Sequence, residues 1–421
     1  MKTFVVLLCL VLTGHAFKET LHSILKSPRS TVQLYRKFKS KEHLNFANQL
    51  EDKLRYRQFK KSARLVAREN AKSDTVKYAT NMFSAMTKVE KKLYTGLNIT
   101  GHHANPPMLS SGLQSVADEV LWTAKGAVTK VKNQGKCGSC WTFGAVAGLE
   151  SRYKFASGTL REFSEQEYLD CVYEGSRNGC NGGWPDDCYQ YSAKRSGQLA
   201  SAKAYSYTGE DGTCKTDQGN AAIAYKITGF KSVGGTEAEN IAALNHGSLS
   251  VAFEVTDKMQ QYSSGILKDT TCTGSPNHAV AAVGYTAQYV LVKNSWGSSW
   301  GEQGFIRFAR NHGNCGLFKY SSYPTLQGTG DSDPNPSDAA VDYKPGDNSG
   351  SGGDSGSNPN CKDLAIDCDS WMCEWSSLQN VMKEYCQKTC KYCSDSSSGT
   401  CASGTVRCSD GVCRHEHMCN H

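Results

Sequence analysis

After its first residues the chain has no long apolar run. The one such run lies in "MKTFVVLLCLVLTGHAF", where a single lysine precedes an apolar stretch that ends in small residues at Ala16. That run is too short to span a bilayer. It reads as a secretory signal peptide, residues 1–16, cleaved after Ala16. No membrane span is expected. Cysteine is missing from residues 17–105, although the whole chain has 19. A disulfide-stapled domain is therefore excluded from that stretch, which is charged and helix-prone. Acid is scarce there too, with 19 Lys and Arg against 7 Asp and Glu over residues 17–115. No long-period repeat is present, which excludes a solenoid array.

The net charge of +7 misleads if read globally, because residues 116–421 hold 27 basic against 33 acidic residues. A uniformly basic chain would suggest nucleic acid or an anionic membrane. Here the excess sits in one segment, so complementary charge between that segment and an acidic remainder is the simpler expectation, and no nucleic-acid partner is expected. A chain of 421 residues is too long for one ordinary core. Residues 17–115 form the basic segment. Residues 116–327 are rich in Gly and Cys, with strand-like apolar runs. Residues 328–360 are acidic and rich in Gly, Ser, Pro and Asn, with little to bury, and read as a flexible linker. Residues 361–393 pack six cysteines into a mini-domain, and 394–421 form a spacer and a cysteine-rich tail. Secretion makes disulfides the default for these cysteines. The sequon Asn98-Ile99-Thr100 allows a glycan on Asn98.

"QGKCGSCW", residues 134–141, holds Cys137 and Cys140. Such a pair can be a redox couple, half of a zinc site, or a nucleophile beside a structural cysteine. A redox couple needs both thiols free for each other, and "NGCNGGWPDDCYQY" offers Cys137 a competing partner in Cys180. Zinc needs further Cys or His at ligand spacing, and this region offers no second pair. A nucleophile needs a thiolate, and a neighbouring imidazolium lowers a cysteine pKa from ~8.5 to as little as ~3–4. "PNHAVAAVGY" supplies His278 and "VLVKNSWGSSWG" supplies Asn294, 138 and 154 residues after Cys140. This cysteine context, with His and Asn about 130–150 residues on, is the known papain-type signature and is recognised as such rather than deduced from spacing.

With "NQGKCGSCW", "GCNGG", "NHAV", "KNSWGSSWGEQGF" and "NCGLFKYSSYP" in order, residues 116–327 resemble the papain-family (cathepsin L-like) cysteine proteases. The resemblance implies an α+β, papain-like two-lobe fold, one lobe helical and one β-barrel-like, behind a helical propeptide. It implies Cys140 as nucleophile at a helix N-terminus, whose partial positive charge favours thiolate. His278 would be its ion-pair partner and acid, Asn294 would orient the imidazole, and Trp296 would cover that hydrogen bond. Gln134 and the Cys140 backbone N–H would bind the oxyanion. Implied bridges are Cys137–Cys180, Cys171–Cys214 and Cys272–Cys315. Cys188 is left over, as a buried thiol. His246 and His312 stay structural. Gly182 and Gly183, turn glycines on the bland reading, match the backbone that pairs with extended substrate in the family.

Positions matching the family's main specificity subsite, for the residue two before the cut bond, are Trp184, Pro185, Ala252, Pro276, Ala279 and Tyr320. None is acidic, so Leu, Val or Phe is expected there, with Tyr320 making the floor shallow. No groove-blocking insertion is seen, so endopeptidase action is expected on protein or peptide substrates. Glu51, Arg55, Phe59, Ser62, Val66 and Asn70 share one helical stripe and resemble the family's inhibitory propeptide helix. "ATNMFSAMT" resembles its second propeptide motif, with Ala79 and Ala85 where Gly and Asp are usual, which puts pH sensing at Ala85 in doubt. Residues 17–115 are thus expected to be a basic prosegment over an acidic groove, the chain's own inhibitor. Leu121 stands where Asp is usual before Trp122.

"CKDLAIDCDSWMCEWSSLQNVMKEYCQKTCKYC" resembles the ShKT module and implies Cys361–Cys393, Cys368–Cys386 and Cys373–Cys390. Toxin members use an adjacent Lys-Tyr pair, whereas Glu384 separates Lys383 from Tyr385 here. A docking module with a surface or matrix ligand is therefore expected. The tail resembles half of an LDL-receptor class A module without its calcium-binding acids. Its Cys413, His415, His417, Cys419 and His421 are assigned to disulfide chemistry before metal, and no cofactor is expected. The leading expectation is a monomeric, zymogenic cysteine endopeptidase of the secretory pathway, extracellular or lysosomal. The rival is a binding or toxin-like effector that uses the protease fold as a carrier.

Overall fold

The computed structural model describes residues 28–73, 75–98, 117–172, 179–215, 225–312, 314–328, 406–407 and 413–414. The linker, the six-cysteine module and most of the tail lie outside them, as do the bridges expected there.

Helices α1 (Pro28–Lys41), α2 (Gln49–Lys72) and α3 (Lys88–Lys92) belong to the prosegment, with strand β1 (Val76–Tyr78) between α2 and α3. The following segment holds β2 (Val120–Leu121), α4 (Cys140–Ser157), α5 (Glu165–Cys171) and α6 (Pro185–Lys194). Then come β3 (Tyr225–Val233), α7 (Glu237–Leu244), β4 (Leu249–Phe253), β5 (Tyr262–Leu267), β6 (His278–Tyr285), β7 (Tyr289–Lys293), β8 (Phe305–Ala309) and β9 (Ser321–Gly328). The strands form one sheet in the order β1-β5-β8-β7-β6-β4-β9-β3, with β2 on β6. All its pairs are antiparallel except β5 with β8. In a second compact unit, β10 (Val406–Arg407) pairs with β11 (Cys413–Arg414).

α4 is buried on nearly every side, including Trp141, Phe143, Val146, Leu149 and Tyr153. It packs against β6, β9, β4 and α6, which makes it the axle of the fold. Ser139 precedes it without a side-chain cap, so its first N–H groups stay open for other acceptors. Gly158, at φ +80°, ends it in the left-handed conformation that glycine adopts without strain. Cys137–Cys180, Cys171–Cys214 and Cys272–Cys315 are bonded. Each spans 43 residues of sequence, for which loop-closure entropy gives about 4 kcal/mol. Cys188, on α6, is buried and forms no disulfide.

The prosegment folds for local reasons. Asn48 caps α2 by accepting from the Leu50 and Glu51 N–H groups at 3.0 and 2.9 Å. Tyr35 and Phe38 of α1 close over Phe59 and Ala63 of α2, together with Ala85. The helical stripe points where its spacing indicates: Phe59, Ser62 and Val66 are buried, and Asn70 exchanges two 2.8 Å hydrogen bonds with the Tyr78 backbone. β1 then adds an edge strand to β5, so the N-terminal segment completes the sheet.

One expectation needs correction. The catalytic segment is not acidic: residues 116–327 hold 20 basic against 19 acidic residues, and the acidic excess lies in 328–421. Of the ion pairs placed, Lys91–Asp257 at 3.4 Å crosses to the catalytic segment, while Lys39–Asp52, Arg55–Glu51 and Arg55–Glu90 stay inside the prosegment. Strand pairing and aromatic packing hold the prosegment instead. Position 85 itself offers only its backbone to the neighbouring arginine. Arg55 donates to the Ala85 carbonyl at 3.4 Å and to Glu90 of α3 at 2.5 Å.

The Arg55 hydrogen bond, with those from Thr87, outweighs burial and holds the Glu90 carboxyl at about 2, well below its usual 4.5. A depressed carboxyl contributes stability that is complete above its unfolded pKa and lost as pH falls through its folded one. Glu90→Gln, in a Cys140→Ala precursor that cannot process itself, should therefore lower prosegment stability by the same amount at pH 7 and pH 5. The deficit should shrink below pH 4.5, which denaturant melts at each pH would read.

Candidate active site

Cys140 opens α4, His278 opens β6, and Asn294 follows β7 directly. β6 packs on α4 and pairs with β7, and that arrangement brings together residues separated by more than a hundred positions. His278 Nε2 and Asn294 Oδ1 are 2.8 Å apart. Trp296 stacks on the imidazole with centroids 4.7 Å apart, and Phe253 meets it edge-on at 5.6 Å. His278 Nδ1 is buried and has no hydrogen-bond partner. The Cys140 sulfur accepts from the Ala279 N–H at 3.4 Å.

Gln134 is fully buried beside them. Its Nε2 donates to the Cys137 carbonyl at 2.9 Å, its Oε1 accepts from Ser295 Oγ at 2.6 Å, and its N–H donates to the Ser295 carbonyl at 2.8 Å. Ser295 thus fixes which way the amide points. Sequence reasoning passed over Ser295, although it lies between Asn294 and Trp296 in the quoted motif.

Below the cleft lies a buried charged cluster that the sequence did not announce, because its members are scattered. Lys132 reaches Glu150 at 2.8 Å and Glu165 at 2.7 Å. Glu150 also accepts from Thr129 at 2.5 Å, and Thr129 accepts from Lys293 at 2.8 Å. Burial pushes Lys293 down to about 8. Lys293 adjoins Asn294, so the cluster braces the base of the site.

The prosegment crosses this cleft. Gly183 N–H donates to the Gly96 carbonyl at 2.9 Å, and Gly183 accepts from Asn98 N–H at 3.1 Å. Leu97 N–H donates to the Asn277 carbonyl at 3.1 Å. A Cβ on Gly96 would lie 1.8 Å from the Gly138 carbonyl, and one on Gly183 would lie 2.6 Å from the Trp141 ring, so neither position accepts a larger residue. Gly182, at φ +128°, sits beneath Gly96. Asn98 of the sequon is half-buried. Phe83 is fully buried, edge-on to Trp296 at 4.9 Å and to Tyr94 at 5.0 Å. Trp296 Nε1 donates to the Tyr94 carbonyl at 2.9 Å.

Among the residues matched to the specificity subsite, Trp184 meets Tyr320 edge-on at 5.1 Å. Ala252 pairs with Ala279 across β4 and β6. Pro185 is the first residue of α6, and Pro276 is buried beside Gly316. A turn that sequence reasoning missed carries Pro276. Glu254 Oε2 accepts from the N–H groups of Thr273, Gly274 and Ser275 at 2.6, 2.8 and 3.3 Å.

Beneath the prosegment, burial works against the charged form of both reactive groups. Burial pushes the Cys140 thiol up to about 12, against hydrogen bonds to the sulfur from Ala279, Gly96, Trp141 and its own N–H. Burial takes the His278 imidazole down to about 4 in spite of Asn294. The thiolate–imidazolium pair implied by the sequence is not the form the covered site favours, because a charge without water is costly.

Residues 116–325 match the family model described as Papain family cysteine protease, and residues 360–393 match one described as ShK domain-like. Papain of Carica papaya is 36% identical over 312 residues, covering 71% of this chain and 88% of papain. Pro-cathepsin H of Bos taurus is 34% identical over 302 residues, covering 70% of this chain and 87% of that protein. Among solved structures, digestive procathepsin L 3 of the Tenebrio molitor larval midgut superposes with a TM-score of 0.63. It is 32% identical, and the match covers 70% of this chain and 99% of that one. The likeness runs through prosegment and catalytic segment alike, so the class is a thiol protease in zymogen form. This chain belongs to the papain family of cysteine proteases and carries an additional ShK-like domain.

Phe83→Ala should release the prosegment. Emptying a fully buried phenylalanine site costs about 3–5 kcal/mol. The inhibition constant of the isolated prosegment peptide against processed enzyme should rise by about two orders of magnitude or more.

Proposed function

We propose that the chain is a secreted endopeptidase, synthesised as a zymogen, in which Cys140 attacks the scissile carbonyl and His278 moves the proton. The observation that carries this reading is the prosegment backbone at Gly96, which lies over the Cys140 sulfur and occupies Gly183. Removing it returns water to the cleft and reverses the burial that works against both charged forms. The α4 N-terminus then favours the thiolate, and Asn294 supports the imidazolium through Nε2. The thiolate adds to the carbonyl carbon. The developing oxyanion takes hydrogen bonds from Gln134 and the Cys140 N–H. His278 protonates the leaving amine, and a thioester remains. Water, deprotonated by His278, then cleaves the thioester and restores the thiol.

On this reading the mature enzyme spans roughly 116–327, released from a prosegment of 17–115 behind a signal peptide of 1–16. A glycan on Asn98 would leave with the prosegment. Trp184, Pro185, Ala252, Pro276, Ala279 and Tyr320 form an apolar subsite for Leu, Val or Phe two residues before the cut bond. An Arg-selective cleavage profile would overturn that assignment. Residues 361–393 are a docking module that localises the enzyme outside the cell or in the lysosome. Its use as the sole activity is not favoured, because papain and pro-cathepsin H match 71% and 70% of this chain.

An epoxide probe that alkylates papain-type nucleophiles tests the central assignment. Peptide mapping should place the adduct on Cys140 in processed protein and find little in the precursor. Folded, processed protein that stays unlabelled would refute it.

A further inference from the structure

No acidic residue is among those assigned to the subsite, yet a buried carboxyl is hydrogen-bonded to one of them. Asp186 is the second residue of α6, where an acid ordinarily serves the helix dipole. This one is 7% exposed, and no side chain caps that helix. Its Oδ1 accepts instead from the hydroxyl of Ser322 on β9, 136 residues away in sequence. It also takes a hydrogen bond from the side chain of Trp184. Both partners are neutral donors, and burial in their company raises the carboxyl to about 6.

The two segments involved are the two halves of the subsite. Trp184 and Asp186 flank Pro185, while Tyr320 and Ser322 flank Ser321. Trp184 and Tyr320 meet ring to ring at 5.1 Å. Asp186 and Ser322, two residues further along each segment, are hydrogen-bonded to each other. Ser322 is itself fixed in register, opposite Ser232 of β3 and Ser250 of β4. An indole held by its N–H has one orientation, and the phenol that packs edge-on against it inherits that constraint.

We infer that Asp186 is a positioning residue for specificity, tying Trp184 to β9 through Ser322 and so setting the depth of the subsite floored by Tyr320. This rests on the proposed assignment of Trp184 and Tyr320 to the subsite. Without the carboxyl the indole loses its acceptor, the Trp184–Tyr320 contact loosens, and the floor drops.

The test is kinetics of processed enzyme on peptides that differ only at the residue two before the cut bond: Val, Leu, Phe and Arg. Active sites are counted by epoxide titration. Asp186→Ala should raise KM for Leu by about tenfold, leave kcat within about twofold, and move the preference toward Phe. Asp186→Asn keeps the shape and one acceptor oxygen, and should restore most of the parent ranking. Ser322→Ala removes one tie without touching the carboxyl and keeps the proposal testable if Asp186→Ala fails to fold. An unchanged ranking in Ser322→Ala and in whichever Asp186 variant folds would overturn the proposal, as would an equal kcat loss on all four peptides. Tyr320→Ala separates the two assignments. If it leaves the ranking untouched, the subsite itself is misplaced. If it shifts the ranking while the Asp186 and Ser322 variants do not, the role of Asp186 alone falls.

Discussion

Removal of water from the Cys140 sulfur is the constraint on which the rest of this structure depends. A thiol and an imidazole become a thiolate and an imidazolium only where solvent, dipoles and each other compensate the separated charges. With Gly96 over the sulfur and Trp296 sealed by Phe83 and Tyr94, solvent compensation is reduced and burial shifts both groups toward their neutral forms. Inhibition therefore has two levels. The prosegment pairs with the backbone of Gly183, and by excluding water it also disfavours the charged forms of the thiol and imidazole it covers. The second level needs no contact with His278 Nδ1, which stays buried and without a partner.

This explains why the prosegment need not be held by charge. Its excess of cations invited an electrostatic reading, but surface ion pairs are worth little individually, and a single-sign segment repels itself. The contacts that lock it are of the kind that hold a domain together: an edge strand added to a sheet, buried aromatic rings, and an asparagine serving both backbone groups of Tyr78. Ion pairs organise the prosegment internally. Arg55 ties α2 to α3 through Glu90.

Much of the site was legible because the chemistry is local in sequence. A cysteine at a helix start, a histidine opening a strand and an asparagine beside a tryptophan each come as short motifs, and their order identifies the family. The helical stripe of α2 was legible from its period. What escaped was every interaction between residues far apart that carry no motif of their own. Glu90 lies 35 residues from Arg55, Ser322 lies 136 from Asp186, and the Lys132, Glu150 and Glu165 cluster joins three separate elements. Side chains of that kind are ordinary surface charges in a sequence reading, and only the packing of α4 against the sheet takes them inside. The charge expectation failed for a related reason: a total over residues 116–421 mixed a neutral catalytic segment with an acidic linker and tail.

The same geometry joins catalysis to specificity more tightly than a pocket lined by apolar residues suggests. Polar side chains bonded to fixed partners narrow the arrangements a structure can take, because the alternatives leave a donor or acceptor stranded. Four such ties surround this cleft. Ser295 sets the amide of Gln134, Asn294 sets the ring of His278, Glu254 sets the turn that carries Pro276, and Asp186 sets the indole of Trp184. Each is anchored on α6, on a strand or beside one. The apolar faces supply contact area and the polar layer behind them supplies position. A cleft built this way can exchange a prosegment for a substrate without rearranging, because the groups that define its shape bond to the scaffold and not to the occupant.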